Sequence, residues 1–193
     1  MISVACIMPT IPQHHQFVAR AVDCFLKQVF PANWNVQLVI DTDPKPSLGQ
    51  KLNRMIASTN ADYIVLWDSD DFFRNDRIAK QVTPLIADGY LVSGSSKIIY
   101  QDGKEAYLYT GDPAIWLYGL AFPPDVWQAK PFDNISFGVD TDWLKHIPAR
   151  LRHDCDDPVL SIATAHSTNT CPKHFAGAPW SRVDYNMVVG LMA

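Results

Sequence analysis

Three carboxylates stand together at Asp68-Ser69-Asp70-Asp71, directly after the apolar run Tyr63-Ile64-Val65-Leu66-Trp67 and ahead of Phe72-Phe73. A buried strand that ends in such a cluster delivers it to one edge of a sheet. Carboxylates packed this closely repel, and each raises its neighbours' pKa unless a cation neutralises them. Oxygen ligands of this kind suit hard cations such as Mg²⁺ or Mn²⁺, which complete their shells with water or substrate phosphates. The segment therefore reads as strand, divalent metal, diphosphate, with a solvated acidic turn as the plain alternative. Two other acidic motifs are excluded. A helix-loop-helix calcium loop needs Gly at its sixth position and Glu at its twelfth, where Phe73 and Ala79 stand. An aspartyl-phosphate phosphatase motif ends in Thr or Val, where Phe72 stands.

The elements that must carry these residues alternate. Val4–Met8 reads as a strand stopping at Pro9-Thr10. His14–Val29 is amphipathic, with Val18, Val22, Phe25, Leu26 and Val29 at helical spacing. Val36–Ile40 is a second strand, ending at Asp41-Thr42-Asp43-Pro44. Leu48–Thr59 is a second helix and Tyr63–Trp67 a third strand. The next helix takes Asn75 as its cap and places Ile78, Val82, Leu85 and Ile86 on one face, with Pro84 kinking or shortening it. This βαβαβ rhythm implies a parallel sheet with right-handed crossovers, and ligands of such sheets bind beyond the carboxyl ends of the strands. Pro9-Thr10, Asp41-Thr42-Asp43 and the Asp68 cluster all belong to that edge.

The second half is less regular. Strands are expected over Tyr90–Tyr100, Ala106–Thr110, Tyr118–Phe122 and Val159–Ala165, with the first two joined by the turn Gln101-Asp102-Gly103-Lys104. Short helices are expected over Asp125–Ala129 and Thr141–Ile147. The tail Val188–Met192 is apolar and packs on the core, on another subunit or on a membrane surface.

Bulk properties bound the class. At 193 residues the chain fits one domain with a sizeable core. Its net charge of -4 argues against a duplex-binding face, which is normally basic. No apolar run approaches the ~20 residues needed to span a bilayer. The start, Met1-Ile2-Ser3-Val4-Ala5-Cys6, lacks a basic leader and reads as strand rather than signal peptide. Cys6, Cys24, Cys155 and Cys171 have no zinc spacing, so reduced thiols in a cytoplasm are expected.

The order of segments resembles the family 2 glycosyltransferases of the GT-A fold, from about Val4 to about Lys173. The resemblance is carried by Ile7-Met8-Pro9-Thr10, Val39-Ile40-Asp41-Thr42-Asp43, Gly49-Gln50-Lys51-Leu52-Asn53, Trp67-Asp68-Ser69-Asp70-Asp71-Phe72, Asp76–Val82, Gly138-Val139-Asp140-Thr141-Asp142 and His166–Thr170. It implies an α/β fold: a single Rossmann-like GT-A domain over 1–193 with a mixed, mostly parallel central sheet flanked by helices. Residues 1–100 would form the nucleotide-sugar donor half and 101–193 the acceptor half. The implied reaction is metal-dependent, inverting sugar transfer from a nucleoside diphosphate sugar, UDP-linked by default, to an unidentified hydroxyl acceptor.

The same resemblance assigns roles. Asp70 is the first metal ligand, with Mn²⁺ or Mg²⁺ as the ion. Asp68, with Ser69 beside it, supports through ribose or bound water. Asp71 is a second ligand or caps the next helix. His166 completes the metal shell or contacts phosphate. Asp140 is the general base, against a capping role or Asp142 as base. Asp41 meets the nucleobase, with Asp43 as runner-up and an Asx turn as competitor. Pro9 and Thr10 wall the base and ribose. Lys51 and Asn53 approach the diphosphate, as do Lys173 and His174 if the tail folds back. Tyr107, Tyr109, Trp116, Tyr118 and Trp127 supply a sugar platform or core. Two positions depart from the family pattern: Val139 stands where Glu is usual, and Leu52 where Arg is common. Three rivals remain. A nucleotidyltransferase lacks support because Pro9–His15 contains no Gly. A non-catalytic sugar- or protein-binding module is the second. The third is glycosylation of modified nucleic-acid bases, which the charge does not favour.

Overall fold

Val4, Ala5, Cys6, Ile7 and Met8 are completely buried because their strand lies inside a sheet with a core on each face. In the computed structural model, which describes residues 1–169 and 179–192, the alternating first part is clear. It comprises β1 (Ile2–Pro9), α1 (His15–Leu26), β2 (Trp34–Asp41), α2 (Leu48–Ala57) and β3 (Tyr63–Leu66). Then follow β4 (Phe72–Phe73), α3 (Arg77–Asp88), β5 (Val92–Ser95), β6 (Lys97–Asp102), β7 (Glu105–Thr110), β8 (Tyr118–Phe122), α4 (Pro124–Ala129) and α5 (Val139–Leu144). The last elements are β9 (Arg152–Asp154), β10 (Ser161–Thr164), β11 (Trp180–Val183) and α6 (Tyr185–Met192).

The central sheet has the order β2-β1-β3-β8-β5-β9. β2, β1 and β3 are parallel, β8 runs against both β3 and β5, and β9 is parallel to β5. The sheet is thus mixed and mostly parallel, as expected. Side chains alternate across a strand. Val4, Cys6 and Met8 pack with Ala21 and Cys24 of α1 and with Ile78, Val82 and Leu85 of α3. Ala5 and Ile7 pack on the other face with Leu52, Met55 and Ile56 of α2 and Trp143 of α5.

A second sheet, β11-β7-β6-β10-β4, was not foreseen as a separate layer. The stretch expected as one strand over Tyr90–Tyr100 divides at Ser96. β5 completes the central sheet, and β6 starts the second. Asp154 holds the crossing by accepting from Ser96 N at 2.9 Å. Phe72-Phe73 pairs with β10 rather than leading straight into a helix. α3 consequently starts after Asp76 instead of Asn75, and no side chain caps it. Pro84 sits inside α3, which runs on to Gly89 in the left-handed region (φ +70°). The helix expected from Thr141 begins at Val139, with Gly138 before it. The tail forms α6, whose Val188 is buried against Ile99, Ala106 and Ile162 of the second sheet. Among the described residues no helix is long and apolar enough to cross a membrane.

Candidate functional site

A cavity of about 400 Å³ opens beyond the carboxyl ends of β1 and β3. Pro9 and Thr10 continue β1 into its wall, Lys51 and Leu52 come from α2, and Asp68–Asp71 follow β3. Tyr118 of β8, Asp140 of α5 and Thr164 of β10 close the opposite side.

The three carboxylates of the acidic loop have different surroundings. Tyr118 Oη donates to Asp68 Oδ2 at 3.0 Å and makes a shorter bond to Asp71 Oδ2. One phenol carries one proton, so it cannot serve both carboxylates fully at once. Burial, and then the charge of Asp70, push the Asp68 carboxyl up to about 6. The same causes, with Asp68 added, raise Asp71 well above the usual carboxylate range. Burial and these two carboxylates likewise push the Tyr118 phenol well up. Behind the loop lies the fully buried Arg77, whose charge favours ionised Asp68. Arg77 donates to the carbonyls of Leu66 (2.7 Å) and Gly119 (3.1 Å) and stacks over Phe73 at 4.2 Å. Gly119 has φ +62°, and a Cβ there would lie 2.6 Å from Arg77 Nη2, so only glycine leaves this space.

Asp71 does not cap a helix. Its other oxygen accepts from Thr164 N at 3.0 Å, which ties β10 to the loop. Asp70 points elsewhere. Its Oδ2 lies 2.9 Å from His166 Nε2 and 3.9 Å from His14 Nδ1, and it accepts from Asn169 at 3.3 Å. Arg20 of α1 donates to the Asp70 carbonyl and, at 2.7 Å, to Thr164 Oγ1, fixing the backbone of the loop. Of the predicted metal set Asp68, Asp70, Asp71 and His166, the structure joins Asp70 with His166. It adds His14 and turns Asp68 and Asp71 toward Tyr118. Ser69 is buried, with its hydroxyl 3.2 Å from His14 Nδ1.

Asp41 forms the Asx turn that competed with a nucleobase contact, accepting from Asp43 N at 2.9 Å, and Asp43 forms a second one across Pro44, accepting from Lys45 N at 3.1 Å. Arg54 of α2 also grips both: it donates to Asp41 from two nitrogens and to Asp43 Oδ2 at 3.3 Å. Neither aspartate is among the cavity's lining residues. Lys51 is only 3% exposed, and burial lowers its pKa. Its ammonium donates to the Thr10 carbonyl at 2.7 Å. Thr10 Oγ1 is buried at the cavity wall without a hydrogen-bond partner among the described residues.

Asp140 lies in the first turn of α5 and lines the cavity, near enough to Asp68 for their charges to interact. Its Oδ1 accepts from Thr141 N at 2.8 Å. Asp142 faces away and pairs with Lys145 at 2.8 Å. Asn53 is not brought to the cavity. Its amide oxygen accepts from Trp127 Nε1 (2.8 Å) and Phe132 N (3.0 Å), and its nitrogen donates to the Phe132 carbonyl (2.8 Å). Of the aromatic set, Trp116 and Tyr118 line the cavity, while Trp127 packs beside the central-sheet core. Tyr109 stacks edge-on against Trp116, and Tyr107 donates to Glu105. Lys173 and His174 lie outside the described residues.

His14, Arg54, Tyr118 as a shared donor, Arg77 and Arg20 were missed in the sequence. Each acts through a partner distant along the chain, and no local spacing marks it.

Comparison with functionally curated proteins returns no match. Among solved structures, S. aureus TarS 1-349 in complex with UDP-GlcNAc superposes with a TM-score of 0.64 at 13% identity, covering 88% of this chain and 60% of that one. Glucosyl-3-phosphoglycerate synthase from Mycobacterium tuberculosis, bound to Mn²⁺, UDP and glucosyl-3-phosphoglycerate, gives 0.58 at 14%, covering 87% and 73%. The mannosyltransferase PcManGT from Pyrobaculum calidifontis, with GDP-Man and Mn²⁺, gives 0.57 at 13%, covering 84% and 56%. The chain thus spans about three fifths of the TarS fragment, and at such identities the likeness concerns the fold. The family described as "Glycosyl transferase family 2" matches residues 25–144, more than half of the chain and inclusive of the acidic loop and Asp140. By that match, the chain belongs to glycosyltransferase family 2.

Proposed function

We propose that the protein transfers a sugar from a nucleoside diphosphate donor to an acceptor hydroxyl with inversion at the anomeric carbon. One observation carries this reading: a single cavity brings Asp68 and Asp70 together with Asp140, Thr10 and Lys51. A divalent cation at Asp70 and His166, when bound, neutralises charge on the leaving diphosphate. The donor set fits such an ion, since a carboxylate and imidazole nitrogens converge there. Asp140 takes the proton of the acceptor hydroxyl as that oxygen attacks the anomeric carbon. The bond to the diphosphate breaks on the opposite face, and its electron pair leaves with the diphosphate.

On this reading the unpartnered Thr10 hydroxyl, with Pro9, meets base or ribose. The Asp41–Arg54–Asp43 cluster, outside the cavity lining, shapes the neighbouring rim, where a nucleobase extending past Thr10 would meet Asp41. Lys51 holds the Thr10 backbone and adds positive potential below the diphosphate. Asp68 and Ser69 support ribose and phosphate. Residues 1–193 act as one domain, with 1–100 as donor half and 101–193 as acceptor half. UDP is the default nucleotide, in keeping with the UDP-bound relatives. The free thiols Cys6, Cys24 and Cys155 support a reducing, cytoplasmic setting.

Calorimetric titration of UDP, GDP, dTDP and CDP, with and without Mn²⁺, tests the reading on wild type and Asp70→Ala. One nucleotide should bind in a metal-dependent manner, and the variant should lose that binding. A folded protein that binds none of them would overturn the transferase reading in favour of a non-catalytic binding module.

A further inference from the structure

Two imidazoles and one carboxylate converge beside the acidic loop. One ligand atom each from His14, Asp70 and His166 lies within 4.8 Å of the other two. Ligand atoms held at about 2.0–2.2 Å by one cation stand roughly 3–3.5 Å apart. Small rotations of the two rings therefore close this triangle. His14 comes from the turn before α1 and is only 8% exposed. His166 follows β10 and stacks on Phe17 at 4.5 Å, with its ring centroid 5.1 Å from that of His14.

Contacts outside the triangle decide which nitrogen faces Asp70. Thr168 serves both rings. Its carbonyl lies 3.3 Å from His14 Nε2, and its hydroxyl lies 2.8 Å from His166 Nδ1. A carbonyl only accepts, so His14 Nε2 carries the proton and Nδ1 keeps a lone pair toward Asp70. The Ser69 hydroxyl, 3.2 Å away, donates to that lone pair. His166 Nε2 lies 2.9 Å from the Asp70 carboxylate, which accepts its N–H, and Nδ1 then accepts from the Thr168 hydroxyl. A cation bound there would take the place of that proton, with Nδ1 then donating to the Thr168 hydroxyl. Partners of this kind, fixing the outer nitrogen of each ring, are what orient metal-binding histidines.

The donor chemistry differs from that of the acidic loop alone. Imidazole nitrogen suits first-row transition cations, whereas Mg²⁺ prefers oxygen and gives up water reluctantly. We propose that His14, Asp70 and His166 hold one first-row transition cation, and that His14 makes the site select such a cation over Mg²⁺. Thr168 is a positioning residue for both rings. The proposal rests on the reading of this cavity as metal-dependent, but the metal can be examined without any nucleotide.

The test titrates the metal-stripped full chain with Co²⁺ and follows its visible ligand-field bands, then competes with Mg²⁺. One Co²⁺ should bind per chain and resist a roughly 100-fold excess of Mg²⁺. His14→Ala should weaken Co²⁺ about tenfold or more and leave Mg²⁺ affinity unchanged. Near-UV circular dichroism reports the fold. Should His14→Ala unfold, His14→Gln keeps volume and polarity and carries the same expectation. Thr168→Val, at an exposed position, should weaken Co²⁺ by about tenfold or more. Co²⁺ binding unchanged in a folded His14 variant, or displaced by equimolar Mg²⁺, would overturn the proposal. A chain that binds Co²⁺ through His14 but no nucleotide would instead overturn the transferase reading alone.

Discussion

Within the acidic loop, Asp68 and Asp71 are occupied by Tyr118, while Asp70 is turned to two imidazoles. Asp140 lines the same cavity, and Asn is its nearest isostere. In Asp140→Asn the amide oxygen can still accept from Thr141 N, so the first turn of α5 is kept. The amide lacks the basicity of the carboxylate. Transfer should fall about 10²–10⁴-fold, while nucleotide affinity by calorimetry stays as in wild type. Unchanged turnover would remove Asp140 from the role of base. The acidic loop was legible in the sequence because an apolar strand and a charge cluster adjoin there. The split between Asp70 and its neighbours was not legible. It depends on Tyr118 and His14, which only the folded chain brings near, whereas His166 was expected beside the metal from the family resemblance.

At the scale of elements, α2 links the two walls of the cavity. Its extent and buried face were readable, since Leu52, Met55 and Ile56 recur at helical spacing; the reciprocal cap of Ser47 and Gln50 that starts it emerges from the structure. The work of Gly49 and Asn53 was not readable, because their partners lie some eighty residues on. Gly49 N donates to the Ile135 carbonyl at 2.9 Å, Leu48 N to Ser136 Oγ at 3.3 Å, and Asn53 clasps Phe132. A Cβ on Gly49 would overlap the Asp133 carbonyl. Gly49→Ala should therefore push the 130–138 segment off α2 and cost about 1–3 kcal/mol, as overpacking against rigid backbone does. Urea denaturation measures the loss, and limited proteolysis should gain a cut within 130–138. A wild-type midpoint and cleavage pattern would show that the helix and this segment are not coupled. Phe72-Phe73 teaches the same limit in another form. Their apolar character was plain, but their pairing as a short strand came from the ladder that β10 offers.

Across the whole molecule, two sheets meet where the chain crosses at Ser96, and the cavity draws residues from both. β1, β3 and α2 build one side, and β8, α5 and β10 the other. The βαβαβ half was legible because its strands alternate with amphipathic helices of ten or more residues. The second sheet was not, because it joins strands of two to six residues that are not all sequence neighbours. A ligand bridging the two sides would bind only the assembled structure, so binding must appear as global stability. At about 100 times its Kd, a nucleotide with its cation adds ~2.7 kcal/mol. For a chain of this length that corresponds to a rise in Tm of roughly 5–11 °C. Differential scanning calorimetry should show one transition moving upward as a unit, reversed by a chelator and absent in Asp70→Ala. Two transitions, with only one shifted by the ligand, would mean that donor and acceptor halves fold separately and that the cavity belongs to one of them. A single transition that shifts whole would tie the acidic loop, the Asp140 wall and the second sheet to one cooperative structure, as expected if Thr164 N on Asp71 and Arg20 on Asp70 and Thr164 bind those layers together.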